Sequence, residues 1–152
     1  MKVLDDYLMY FTSAEKRLFY NKWLRPVTSA EFRQGAELVH NHIKKGRVEL
    51  WLLDASNCNT QDRDDQEWTV SEIGKLISGE EALLRKVALV RSKDVFFNVI
   101  AEWIQEKLTQ QFAPATVMKH FQTLPEAYEW LLPEHRICST STEPPFINEP
   151  RN

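Results

Sequence analysis

Cysteine is scarce in this chain: Cys58 and Cys138 are the only two, far apart and without the Cys-x-x-Cys spacing of a redox pair or zinc site. Free thiols in a reducing compartment are the plain expectation. Histidine is equally thin, with His40, His42, His120 and His135 scattered along the sequence. His40 and His42 lie two apart on an expected helix, which points them in different directions and argues against a shared metal. Positive charge is not in excess either: 19 Lys and Arg against 22 Asp and Glu leave a net charge of -3 and a pI near 5.8. Nucleic-acid binding, which needs a basic stripe to neutralise phosphates, is therefore set aside. Long apolar runs are missing too, and the opening MKVLDDYLMYF carries an acidic pair, so neither a secretory signal nor a membrane span is expected. The location this implies is cytoplasmic.

What is present suits one ordinary domain. The chain has 152 residues, 43% hydrophobic and 27% charged, enough apolar mass for a core, and it contains no internal repeat. Residues 7–11 and 18–24 read as two aromatic-rich strands joined by a hairpin-length polar segment. Thr28 and Glu31 have the spacing of a capping box, and Phe32, Gly35, Ala36, Val39 and Ile43 form the apolar stripe of the helix that follows. Lys44, Lys45 and Gly46 close that helix, with glycine free to take the left-handed conformation. Residues 48–53 and 87–90 lack the alternation of a half-exposed strand and read as central strands. An amphipathic helix over 66–78, opened by Asp64 or Asp65, connects them, which implies a right-handed parallel crossover.

A third helix over 94–110 has the strongest periodicity. Phe96, Val99, Ile100, Trp103, Ile104 and Leu108 make its apolar face, with Asn98, Glu102, Gln105, Glu106 and Thr109 on the polar one. Residues 116–122 read as a strand nearer the edge, and Thr123 to Glu126 repeats the capping-box spacing before a short helix burying Ala127, Tyr128 and Leu131. The domain is expected over 1–138, with 139–152, rich in Ser, Thr and Pro, as a mobile tail.

The stretch 48–68, VELWLLDASNCNTQDRDDQEW, runs a buried strand into an acid-rich loop that ends at a helix start. In parallel sheets that is where sites are built. Asp54, at the strand's end, must be solvated, hydrogen-bonded or paired; an Asx-turn within its own loop and a site carboxylate are both open readings. Asp62, Asp64, Asp65 and Glu67 could ligate a hard cation, but their spacing lacks the glycine and later glutamate of a calcium loop, and helix capping explains the same residues. Ser56 has no base nearby in sequence and no nucleophile-elbow pattern around it. No catalytic, metal or cofactor motif stands out. Trp68 sits beside the loop, where a half-exposed ring would anchor a partner or cover a pocket.

With these residues, the order of strands and helices resembles the SpoIIAA-like superfamily, which includes the STAS domains of anti-sigma factor antagonists. Leu52-Leu53-Asp54-Ala55-Ser56 resembles the segment with which those domains leave their central strand, and Asp65-Gln66 lies where their Asp-Ser pair opens the next helix. The resemblance implies an α/β single domain, a mixed, mostly parallel sheet of about five strands with four helices in the order ββαβαβαβα. It departs at Gln66, which stands where regulatory members keep a phosphorylatable hydroxyl, so a phosphorylation-controlled switch is not carried over. The same stretch resembles small bacterial proteins grouped with STAS and Sec14-like domains. The expected function is non-enzymatic interaction with a protein partner or a second copy, through Asp54, Ser56, Asp65, Gln66 and Trp68. A small-ligand or lipid module with Trp68, Trp103 and Phe97 lining a cavity is the first alternative; an acid-based metal enzyme is the second.

Overall fold

An antiparallel meander begins the chain and parallel crossovers complete it. In the computed structural model, which describes residues 1–133, the meander consists of β1 (Lys2–Leu4), β2 (Leu8–Ser13) and β3 (Leu18–Trp23). Then follow α1 (Ser29–Lys45), β4 (Leu50–Asp54), α2 (Arg63–Ile77), β5 (Lys86–Val90), α3 (Val95–Phe112), β6 (Val117–Phe121) and α4 (Leu124–Leu131). All six strands form one sheet in sequential order, and β3 to β6 are parallel. Among the described residues the α/β architecture and the four helices match expectation, and the sheet has six strands rather than about five. The additional β1 is three residues long, too short to show an alternation, and is defined by its register, with Lys2 opposite Tyr10. The expected tail over 139–152, and Cys138 before it, lie outside the described residues.

Sequential strand order has a geometric consequence. Each right-handed crossover steps the same way across the sheet, so α1, α2 and α3 all land on one face. That face carries Phe19, Trp51 and Val87 from the strands under Val39, Ile43, Val70, Leu76 and Leu108 from the helices. The opposite face carries Leu18, Tyr20, Leu52, Ala88 and Val90 beneath Leu124, Ala127, Tyr128 and Leu131 of α4. β4 and β5 are thus covered on both sides, which is why their sequences run apolar without alternation. β6 is the edge, with Val117 exposed. Among the described residues no helix is long and apolar enough to cross a membrane.

The helix ends follow local chemistry, with two corrections. Thr28 and Glu31 close the expected capping box on α1, and Thr123 caps α4. The cap of α2 is Asp62, not Asp64 or Asp65: its carboxylate accepts the Asp65 backbone N–H at 2.8 Å. At the end of α1, Gly46 stays right-handed (φ -80°), and Arg47 takes the positive φ of 51°. Glycine is needed at 46 for space, since a Cβ there would stand 2.8 Å from the His42 carbonyl oxygen.

The rotation of α3 about its axis also differs from expectation. Of its eighteen residues only Leu108 is buried, while Phe96 is 76% and Val99 57% exposed. Two residues of the expected polar face turn inward instead. Asn98 exchanges two hydrogen bonds with the Ser92 backbone, at 2.8 and 2.9 Å, and the Gln105 amide donates to the Met118 carbonyl at 3.0 Å. Apolar residues lie on more than one side of this helix, so these directional bonds fix its rotation where periodicity could not.

Candidate functional site

The loop after β4 is held by its own polar side chains. Asp54, 4% exposed, accepts the Ser56 backbone N–H at 2.9 Å, closing an Asx-turn. Lys93 donates its backbone N–H to the Ser56 carbonyl, and the Ser92 hydroxyl donates to the Cys58 carbonyl. Thr60 donates from both backbone and hydroxyl to Asp94, which also caps α3. Asn59 accepts from and donates to the Val27 backbone. The loop is thereby stitched to the segments that enter α1 and α3.

Farther on, Asp65 is 1% exposed and receives the Arg33 guanidinium of α1 at 2.7 Å. Gln66 donates its side-chain amide to the Gln61 carbonyl at 2.8 Å and lies within the first turns of α2. Trp68 is half-buried, edge-on to Phe32 and covered by Arg33 at 4.9 Å. Asp54 and Ser56 are thus bound to each other and to Lys93 at the end of β4, whereas Asp65 and Trp68 of α2 are held against Arg33 and Phe32 of α1 and Gln66 against Gln61. In the acidic cluster, Glu67 pairs with Arg63 at 3.4 Å, and Asp64 is exposed. Among the described residues no group of three or more His, Cys, Asp or Glu is placed to hold a metal ion.

Beside this loop is a feature no local sequence signal announces: an apolar cavity of about 120 Å³ between α3 and the sheet. Trp51, Leu53, Val87, Leu89 and Met118 form its floor. Phe97, Ile100, Ala101, Ile104 and Leu108 form its roof, and Thr69 and Ile73 of α2 close one side. Of the aromatics expected around a cavity, Phe97 is there; Trp68 and Trp103 are not. Trp68 is turned toward Phe32, and Trp103 lies under the Lys107 ammonium at 5.8 Å.

Polar residues punctuate the lining: Gln61, Thr69, Gln105, Lys119 and His120. Burial, helped by the nearby Arg91 charge, lowers the His120 pKa below its ordinary value, so the imidazole is mainly neutral near pH 7. Burial also pushes the Cys58 thiol well up, with the Asp54 charge adding to it. That keeps the thiol protonated, an apolar wall rather than a nucleophile.

A mixed six-stranded sheet carrying three crossover helices on one face and one on the other, with a capped loop and an apolar cavity at the strand ends, defines the class of the domain. The chain belongs to the SpoIIAA-like family, whose sequence profile matches residues 9–132. Among solved structures it is similar to an uncharacterised protein of the DUF3478 family with a SpoIIAA-like fold from Shewanella loihica PV-4. The two are 14% identical and align over 86% of this chain and 98% of that one, with a TM-score of 0.51. At that identity the likeness is one of fold. No curated protein matches the chain.

Proposed function

We propose that this domain is a binding module whose receptor is the cavity beneath α3, and that it takes up a small apolar or aromatic group. One observation carries the reading: the 120 Å³ space is lined mainly by aliphatic and aromatic side chains of α2, α3 and the sheet, with Phe32 of α1 and Cys58 of the loop. An engineered cavity of about 150 Å³ in another protein stays dry and binds benzene, so this one is ring-sized. Drug-sized ligands occupy roughly 300 to 1,000 Å³, and a single ring or short alkyl segment is the scale that fits. Binding rather than catalysis is further supported by the loop's carboxylates, which are committed to caps, a turn and an ion pair.

The test is calorimetric titration with 3-phenyl-1-propanol on the wild type and on Ala101→Trp, whose larger side chain fills the space from the roof. The wild type should bind and melt higher with the alcohol present, and the variant should fold but not bind. No binding by the wild type, or equal binding by both, would refute the proposal.

A second reading is favoured by a separate observation. Val95, Phe96 and Val99 expose large apolar surface on the first turns of α3, next to the loop after β4 that Thr60 ties to Asp94. A protein partner or a second copy docking there would be lost with Phe96→Ser, without loss of the alcohol's binding.

A further inference from the structure

The inference here rests on the cavity reading and narrows its ligand. Next to the cavity, an open groove of about 580 Å³ runs between α3 and β6, and the two spaces meet at Gln105, Met118, Lys119 and His120. Arg91, the residue immediately after β5, lines this groove. It stands at the carboxyl end of the parallel strands, where its backbone N–H is bonded to the Phe121 carbonyl.

The Arg91 side chain is incompletely partnered. Its Nε is buried and has no hydrogen-bond partner among the described residues. Its nearest carboxylate, Glu102 of α3, stands 3.6 Å from the terminal nitrogen, too far for a good charge-assisted hydrogen bond, and is itself 60% exposed. The other charges at the groove are Glu106 and Lys119. Lys119 belongs to the opposite face of the sheet, with its ammonium 5.8 Å from the Trp130 ring. His120 shares the cavity-side face with Met118, and as a neutral imidazole it carries one N–H to donate.

We infer that Arg91, with His120 beside it, is the head-group subsite of the cavity, and that the ligand is an amphiphilic carboxylate: an apolar body under α3 and an anionic end in the groove. A guanidinium presents parallel N–H donors that match the two oxygens of a carboxylate. The class is therefore a small aryl- or alkyl-carboxylic acid rather than a neutral hydrocarbon.

The experiment compares 3-phenylpropionate with 3-phenyl-1-propanol, which share the same body, by calorimetric titration at pH 7 and low salt. In the wild type the carboxylate should bind about tenfold more tightly. Arg91→Gln should bring the two affinities together while leaving that of the alcohol unchanged. Glu102→Gln, at an exposed position that tolerates the change, should raise the carboxylate's affinity severalfold and not the alcohol's. If the alcohol binds but the carboxylate binds no better, the head-group subsite is wrong and the cavity reading stands. Equal weakening of both ligands by Arg91→Gln would also overturn it, because that is a structural role. If neither ligand binds, the cavity reading fails and takes this inference with it.

Discussion

The two ends of the helical layer are built differently. Along the middle of α1 the helix sits close on the sheet: a Cβ placed on Gly35 would stand 2.6 Å from the Trp23 ring, and Gly35, Ala36, Val39 and Ile43 are all buried. Under α3, a helix of similar length buries only Leu108 and leaves a cavity against β5 and β6. On the proposed reading, the space at the α3 end is the receptor. Both helices are well capped, so the difference lies in packing rather than in helix formation.

Substitutions on the tight side should break that comparison most strongly. Arg33→Met leaves the Asp65 carboxylate buried without its partner, and should destabilise by about 3 kcal/mol in urea unfolding. Gly35→Ala forces Trp23 to move from its stack on Tyr7, and should cost about 2 kcal/mol despite alanine's better helix propensity. The matching change in α2, Gly74→Ala, would put its Cβ 2.2 Å from the far end of the Phe112 ring at the last residue of α3, closer than the Gly35 contact but against the tip of a half-buried side chain. That ring can swing, so the loss should stay within about 1 kcal/mol. If Gly74→Ala costs as much as Gly35→Ala, the α3 side is not the looser one.

A pH effect should sharpen the contrast further. Burial lowers the pKa of His40, on α1 and edge-on to Trp51, to about 4. An unfolded histidine titrates near 6.5. Between those values the unfolded chain takes up a proton that the folded one resists, so stability is fully present above about 6.5 and falls as pH drops toward 4. From pH 7 to 5 the loss should be under about 2 kcal/mol, and His40→Gln should flatten it in denaturation curves at the two pH values. Smallest of all, Phe96→Ser on the exposed turn of α3 should change stability by less than about 0.5 kcal/mol in either direction.

How much of this was legible in the sequence depended on range. Thr28 with Glu31, and Thr123 with Glu126, are local patterns, and each caps the helix it was expected to cap. The unbroken apolar runs of β4 and β5 revealed two covered faces, and the element order revealed the family. Gly46 shows the limit of a local rule, since its glycine serves a close contact instead of a left-handed turn. The loop after β4 could be placed at the strand ends. The Arg33 partner of Asp65 could not, because the pair is separated by 32 residues. A cavity is the shape left between several elements and has no sequence signal of its own. The rotation of α3 depends on Asn98 and Gln105 finding backbone groups on other segments, which periodicity does not encode.

The central claim is that the space beneath α3 is a real, dry, apolar receptor. A crystal of the protein pressurised with xenon tests it most directly, because xenon occupies apolar cavities of this size without needing a polar anchor. The account predicts a xenon atom among Ile104, Leu108, Val87 and Met118, and none beneath Ala36 and Val39 of α1. An α3 side that takes up no xenon, or uptake only under α1, would contradict it.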